Sequence, residues 1–167
     1  MNMIIRGGVM LGVLVTIWSW AFAFIGLHKN PNGSMIFPIV ATLIEIAVLI
    51  WALKKTAAQG RGWIGQVSAG TLLAFVGGSL IFATSYMLVT SLYPTYVAEA
   101  NAAMAEAFRA RGMDDAAVQA EMAKMAPGQT PVMLALTGFA ATVVTGLVVS
   151  MIIATFVRNK GPRPVAA

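Results

Sequence analysis

Four long stretches of the chain are almost free of charge: Gly7–Leu27, Met35–Leu53, Val67–Leu92 and Pro131–Val157. A single acidic or basic side chain interrupts them, Glu45. Each stretch is near or above the ~20 residues that a helix needs to cross ~30 Å of hydrocarbon. A helix also satisfies its own backbone N–H and C=O groups, which lipid cannot do. The pattern predicts an all-α polytopic membrane protein with four transmembrane helices in one domain spanning residues 1–167.

The connections are written in turn and cap chemistry. His28-Lys29-Asn30-Pro31-Asn32-Gly33 reads as a tight turn between the first two spans, which makes them antiparallel neighbours. Ser34 is placed to cap the second helix, with Pro38 expected in its first turn. Lys54-Lys55 stops that helix, Gly60-Arg61-Gly62 breaks the backbone, and Trp63 opens the third. The third span reaches Tyr93, ahead of Pro94.

Residues 95–129 differ in kind. They carry five of the six acidic residues, three basic ones, and many Ala and Met. Two short helices are expected. One covers about Val97–Ala110; the other is capped by Asp114 and closed by Pro127-Gly128. Met113 and Val118 are spaced as a hydrophobic staple. Thr130 is the expected cap of the fourth span, with Pro131 at its first position. Val97, Ala100, Met104, Ala107 and Phe108 share one face of the first short helix, so the insert reads as an extramembrane helical hairpin over one end of the bundle, or as a cap that docks a partner. Its acids look solvated, with Glu106–Arg109 and Glu121–Lys124 as i,i+3 pairs.

Charge sets the expected orientation. Arg6, Lys54, Lys55, Arg61, Arg158, Lys160 and Arg163 fall on one side of the membrane, and Lys29, Arg109, Arg111 and Lys124 on the other. The positive-inside rule then places both termini in the cytoplasm of a bacterial inner membrane and the insert in the periplasm. Trp51 and Trp63 mark one interface, Tyr93 and Tyr96 the other. Arg6 and Ala21-Phe22-Ala23 imitate a signal peptide, but the apolar run through Leu27 outlasts the usual h-region, so a retained helix is expected.

Composition narrows the chemistry. The chain is 59% hydrophobic and 10% charged, against ~25% charged in soluble domains. It has no cysteine and one histidine, His28, so thiolate sites and multi-histidine metal sites are excluded. The net charge of +5 is scattered beside the spans, which argues for orientation and against nucleic acid. No nucleophile–base pair, phosphate loop or metal-ligand spacing is present. No enzyme activity, cofactor or metal is expected, and the expected partners are membrane lipids and other membrane subunits.

Helix packing in lipid relies on small residues. The fourth span places Gly138, Thr142, Gly146, Ser150 and Ala154 at four-residue spacing, and the third has Gly70, Ala74 and Gly78 with Ser79 and Ala83 beside them. These seams are expected to meet. Gly8 and Gly12 form a shorter one in the first span.

Glu45 is the residue that invites a mechanism. A carboxyl at mid-span costs ~2.5–3.5 kcal/mol on insertion scales. No span carries a basic residue to pair with it, so a neutral acid is the simplest state. Three roles are open: hydrogen bonding to Ser, Thr or Gln inside the bundle; anchoring a partner's polar group, a lipid or a pigment; or binding a proton or cation in transport. The spans offer only hydroxyls and small residues beside it, a thin supply for a transport path. His28 looks interfacial and not a haem ligand. Trp18, Trp20, Phe22 and Phe24 read as a lipid-facing aromatic cluster.

Three pieces of this layout resemble a family of small bacterial inner-membrane proteins catalogued as domain of unknown function 4199. They are the Lys54-Lys55 stop followed by Gly62-Trp63-Ile64-Gly65 opening a Gly/Ala-rich span, the acidic helical insert before the fourth span, and the closing run from Gly146 to Lys160. The resemblance covers essentially the whole chain and implies four transmembrane helices. It supplies no activity, cofactor or site residue. Against that family's usually apolar second span, Glu45 is a departure. The expected function is that of a non-enzymatic accessory or scaffold subunit packed against a larger complex; the alternative is a small oligomeric transporter or channel with Glu45 as its titrating group.

Overall fold

The computed structural model describes residues 2–30 and 33–157. The described chain is all-α. Helix α1 is Met3–Phe24, α2 Gly33–Ala57, α3 Trp63–Met87, α4 Tyr96–Ala110, α5 Asp115–Met125 and α6 Pro131–Val157. Four segments are long and apolar enough to cross a membrane: Met3–Phe24, Met35–Ala57, Trp63–Leu92 and Pro131–Val157. This is the architecture of an all-α polytopic membrane protein.

The helix ends follow local chemistry, with some shifts from expectation. Asn2 caps α1 by accepting from the Ile4 N–H at 3.3 Å. The α2 helix begins at Gly33, so Ser34 lies within its first turn and not at the cap, and Pro38 lies inside the helix beyond that turn. The Pro31-Asn32 part of the expected turn lies outside the described residues. Helix α2 continues past Lys54-Lys55 to Ala57, because lysine is a good helix former; Lys55 Nζ sits 4.9 Å above the Trp51 ring. Asp114 caps α5, accepting from the Ala117 N–H at 2.7 Å, and Thr130 accepts from the Met133 N–H at the start of α6. Helix α3 ends in a π turn, Leu88–Leu92, closed by a 2.7 Å bond from the Tyr93 N–H to the Leu88 carbonyl.

Around the bundle the order is α2, α1, α3, α6, and back to α2. The most extensive contact joins α3 to α6, and α1 to α3 comes next. Side chains facing outward are large and apolar, including Ile17, Leu43, Ile64, Val144 and Phe156, as lipid requires. The buried core gathers Ile4, Leu11, Val48, Leu49, Leu53, Ala69, Leu73 and Ile153. These residues belong mostly to the half of the bundle that holds the start of α1 and the end of α6. The half nearer the α4–α5 hairpin is built differently.

The small-residue seams explain the close contacts. A Cβ on Gly146 would collide with the Ala74 methyl, and a Cβ on Gly70 would collide with Ser150. Gly78 lies against Phe139 and Gly138 against Ile81. Gly8 and Gly12 of α1 press on Val76, Leu80 and Gly77 of α3. Each seam is thus used between helices of one chain.

Candidate functional site

The hairpin half of the bundle holds a chamber of about 450 Å³. Helix α2 contributes Phe37, Pro38, Ala41, Thr42 and Glu45, and α6 contributes Thr137, Gly138, Thr142 and Thr145. Val15 and Ser19 of α1, Ile81 and Ser85 of α3, and Leu88 and Val89 of the π turn close the back. The π turn carries Leu88 and Val89 into this wall, a common use of π bulges near functional sites. Pro38, Thr137 and Ala141 are exposed, so the chamber reaches the side of the bundle between α2 and α6.

Glu45 is buried, 4% exposed, and makes no hydrogen bond or ion pair among the described residues. Its Oε1 lies where a Cβ on Gly146 would come within 3.0 Å. The bundle therefore does not satisfy this carboxyl internally, contrary to the first of the roles read from sequence. Hydroxyls surround the chamber instead. Thr137 and Thr142 donate to carbonyls on their own helix, Met133 and Gly138. The hydroxyls of Thr42, Ser85 and Thr145 make no hydrogen bond among the described residues. Their spare donors and acceptors face the same space as the carboxyl.

Beyond the chamber lies a second cavity of about 370 Å³ beneath α4, lined by Phe22, His28, Met104, Phe108 and Arg111 among others. Phe37 and Tyr96 line both cavities. The apolar face read from sequence on α4, Ala100, Met104, Ala107 and Phe108, looks onto this space. No α4 side chain is fully buried, so the helix roofs the cavity without packing into it.

Helix α4 is instead tied down by a polar hub. Glu99 Oε2 accepts from the Tyr93 hydroxyl at 2.7 Å and pairs with Lys29 Nζ at 2.9 Å and His28 Nε2 at 3.1 Å. Its Oε1 accepts from the Thr95 hydroxyl at 2.8 Å. The Tyr93 hydroxyl and the Lys29 ammonium hold the Glu99 carboxyl down to about 2, and Glu99 in turn raises Lys29 above its ordinary value. Burial raises Tyr96. His28 is 7% exposed and lies against Tyr96, the ring centroids 4.6 Å apart and the planes tilted by 31°.

Several sequence expectations change here. Glu99 is not one of a solvated row of acids; it joins the connection after α1 to α4. Two of its partners, His28 and Lys29, lie some seventy residues away in sequence, and the local ones are Tyr93 and Thr95, six and four residues before it. Arg109 pairs with Asp115 at 2.9 Å rather than with Glu106, because α5 folds back beside the end of α4; the Glu121–Lys124 pair is present. The aromatic cluster does not simply face lipid. Phe22 is buried edge-on against Phe37 at 5.2 Å, Trp18 Nε1 donates to the Phe37 carbonyl at 3.2 Å, and Phe24 alone is strongly exposed, stacked on Tyr93.

A family model described as "Protein of unknown function (DUF4199)" matches residues 6–159, and the chain belongs to that family. No curated protein and no solved structure matches it.

Proposed function

For this member of the DUF4199 family we propose the work of a small transporter or channel of the bacterial inner membrane, with Glu45 as the group that takes a proton or cation. One observation carries the reading: a buried carboxyl without an internal partner opens on a hydroxyl-lined chamber. Intramembrane acids are costly and are characteristic of ion and proton paths. No chemical step on a substrate is part of the proposal. By the positive-inside rule both termini are cytoplasmic, and the α4–α5 hairpin and the chamber lie on the periplasmic side. The chamber then opens sideways between α2 and α6 in the outer half of the bilayer and is closed toward the cytoplasm by Leu49, Leu53 and Leu73, none more than 1% exposed.

The accessory-subunit reading rested on the lack of a catalytic constellation, on the small-residue seams and on the helical cap. The seams are taken up, as expected, between α1, α3 and α6 of the same chain, and no feature of the cap points to a partner as directly as the unpaired carboxyl points to an ion.

Two measurements test the proposal. A hydrophobic carbodiimide, which modifies neutral carboxyls in apolar surroundings, is expected to label Glu45 in intact membranes. In liposomes, ion flux under an imposed gradient is expected in the wild type and lost in Glu45→Gln. An unlabelled Glu45, or flux of every ion equal in the two proteins and in empty liposomes, sinks it.

A further inference from the structure

Four buried polar atoms in the spans lack partners among the described residues, Trp20 Nε1, Glu45 Oε1, Ser150 Oγ and Gln66 Nε2, and the last three lead away from the chamber, beginning at its floor. Glu45 Oε1, Ser150 Oγ and Gln66 Nε2 are all buried and make no hydrogen bond among the described residues. Buried polar groups left unpaired cost free energy and call for an explanation. Their placement supplies one. Glu45 Oε1 lies at the level of Gly146 on α6. Ser150 is one turn further along α6 and packs on Gly70 of α3. Gln66 is one turn before Gly70 on α3, in that helix's first turn, and accepts from Thr56 of α2 at 2.7 Å. Four residues of helix rise about 6 Å. The helix rise therefore sets the three groups at successive levels about that far apart along the bundle axis, from the floor of the chamber toward the end where α1 begins and α6 ends. A step of about 6 Å is what one water spans with a hydrogen bond of ~2.8 Å on each side.

We infer that the ion this chain moves is the proton, and that it passes from Glu45 by way of Ser150 and Gln66 to the end of the bundle nearest Thr56. The inference rests on the transport reading above. Size decides against larger cargo. Leu11, Leu49, Leu53 and Leu73 surround this half of the bundle at 0–1% exposure, and no second carboxylate is present in the spans to coordinate a metal cation. A proton needs room only for the single waters between these groups, because it moves by exchange along oxygens. The Glu45 carboxyl gives its proton to a water. That water passes one of its protons to Ser150 Oγ, and the hydroxyl releases its original proton to a water held at the Gln66 amide, from which one proton leaves to bulk. Every oxygen gains one proton and loses one, and Glu45 is reprotonated from the chamber. Tyr96, at the chamber's far end, is the other titratable residue lining it, the hub of His28, Lys29, Tyr93 and Glu99 lies beyond, and Lys54, Lys55 and Arg61 flank the exit in sequence.

The test uses the full chain in liposomes with a pH-sensitive dye inside and a potassium diffusion potential across the membrane. Wild type is expected to pass protons. Ser150→Ala and Gln66→Met keep shape and packing, and each is expected to lower proton flux about tenfold, the effect of one lost hydrogen bond of ~1.4 kcal/mol. Carbodiimide labelling of Glu45 should be unchanged in both, since the chamber is untouched. Thr155→Ala, which removes a hydroxyl from the lipid side of α6, should conduct like wild type. Proton flux unaffected by Ser150→Ala and by Gln66→Met overturns the path. Glu45-dependent sodium or potassium flux without proton flux overturns the proton while leaving the transport reading intact. Loss of Glu45-dependent flux for every ion removes both.

Discussion

Helix α6 meets its two neighbours in opposite ways. Toward α3 it presents Gly146 and Ser150 to Ala74 and Gly70, so close that neither glycine could carry a Cβ. Toward α2 it presents Thr137, Thr142 and Thr145 to a chamber that ends at Glu45. One helix thus serves as a structural rail on one side and as the wall of a site on the other. In lipid, where apolar contact alone gives no drive to associate, close packing through small residues holds a bundle together. The contact without such packing is the one that can afford a cavity. The division between a rigid seam and an open face is what the following experiments break or sharpen.

The largest effect is expected on the rail. Gly146→Leu drives a branched side chain into Ala74 and Glu45 together. Overpacking typically costs 1–3 kcal/mol per site, and this one should reach at least about 3 kcal/mol because backbone-bearing helices face it on two sides. Thermal aggregation in detergent measures it. A variant as stable as wild type would show that the α3–α6 contact is not the framework of the bundle.

Next comes the carboxyl itself. Glu45→Met replaces an unpaired acid by an apolar chain of similar length. Insertion scales set the acid at ~2.5–3.5 kcal/mol, so the variant is expected to be more stable than wild type by about 2 kcal/mol and to conduct nothing. Destabilisation on this substitution would mean that Glu45 is a structural tie, and would place the open face on the same footing as the seam.

The sequence announced the rail more clearly than the wall, for a physical reason. A seam is local to each helix: Gly138, Thr142, Gly146 and Ser150 recur every four residues, so periodicity alone displays them. The chamber is assembled from hydroxyls on four helices, Ser19, Thr42, Ser85 and, on α6, Thr137, Thr142 and Thr145, and nothing in the spacing of one helix points to the others. Glu45 stood out because one acid in an apolar span is conspicuous; that it faces empty space and not a partner needed the tertiary arrangement. Glu99 was harder still. It sits among four other acids of the 95–129 insert, and only the return of α4 over the connection after α1 brings it to His28 and Lys29.

That hub offers a smaller effect. Glu99 falls from an ordinary carboxylate value to about 2 in the folded protein. A depressed acid stabilises the docked state fully above its unfolded value, near ~4.3. The contribution is lost as pH falls from there through about 2. Since the chain has no cysteine, an Ala103→Cys variant carrying an environment-sensitive dye reports on the cavity beneath α4 alone. Its emission is expected to shift to the red across that acid window and to stay shifted at neutral pH when Glu99→Gln is added. The bundle's helicity should not change with it. An emission that ignores both acid and Glu99→Gln would show that α4 is held by its apolar face and not by the hub.

The smallest expected change in stability is also the sharpest contrast. Thr142→Leu adds the same kind of bulk as Gly146→Leu, one turn away on the same helix. Thr142 lines the chamber, and its hydroxyl bonds only to the Gly138 carbonyl of its own helix at 2.9 Å. The backbone keeps its helical bond when that hydroxyl goes, and the added carbons enter open space. The cost should stay under about 1 kcal/mol, well below the overpacking range that applies to a filled site. The carboxyl should nevertheless become harder to reach, so carbodiimide labelling of Glu45 is expected to fall severalfold in a protein that melts almost like wild type. If Thr142→Leu unfolds the bundle as Gly146→Leu does, the face toward α2 is packed like the face toward α3, and no chamber separates them.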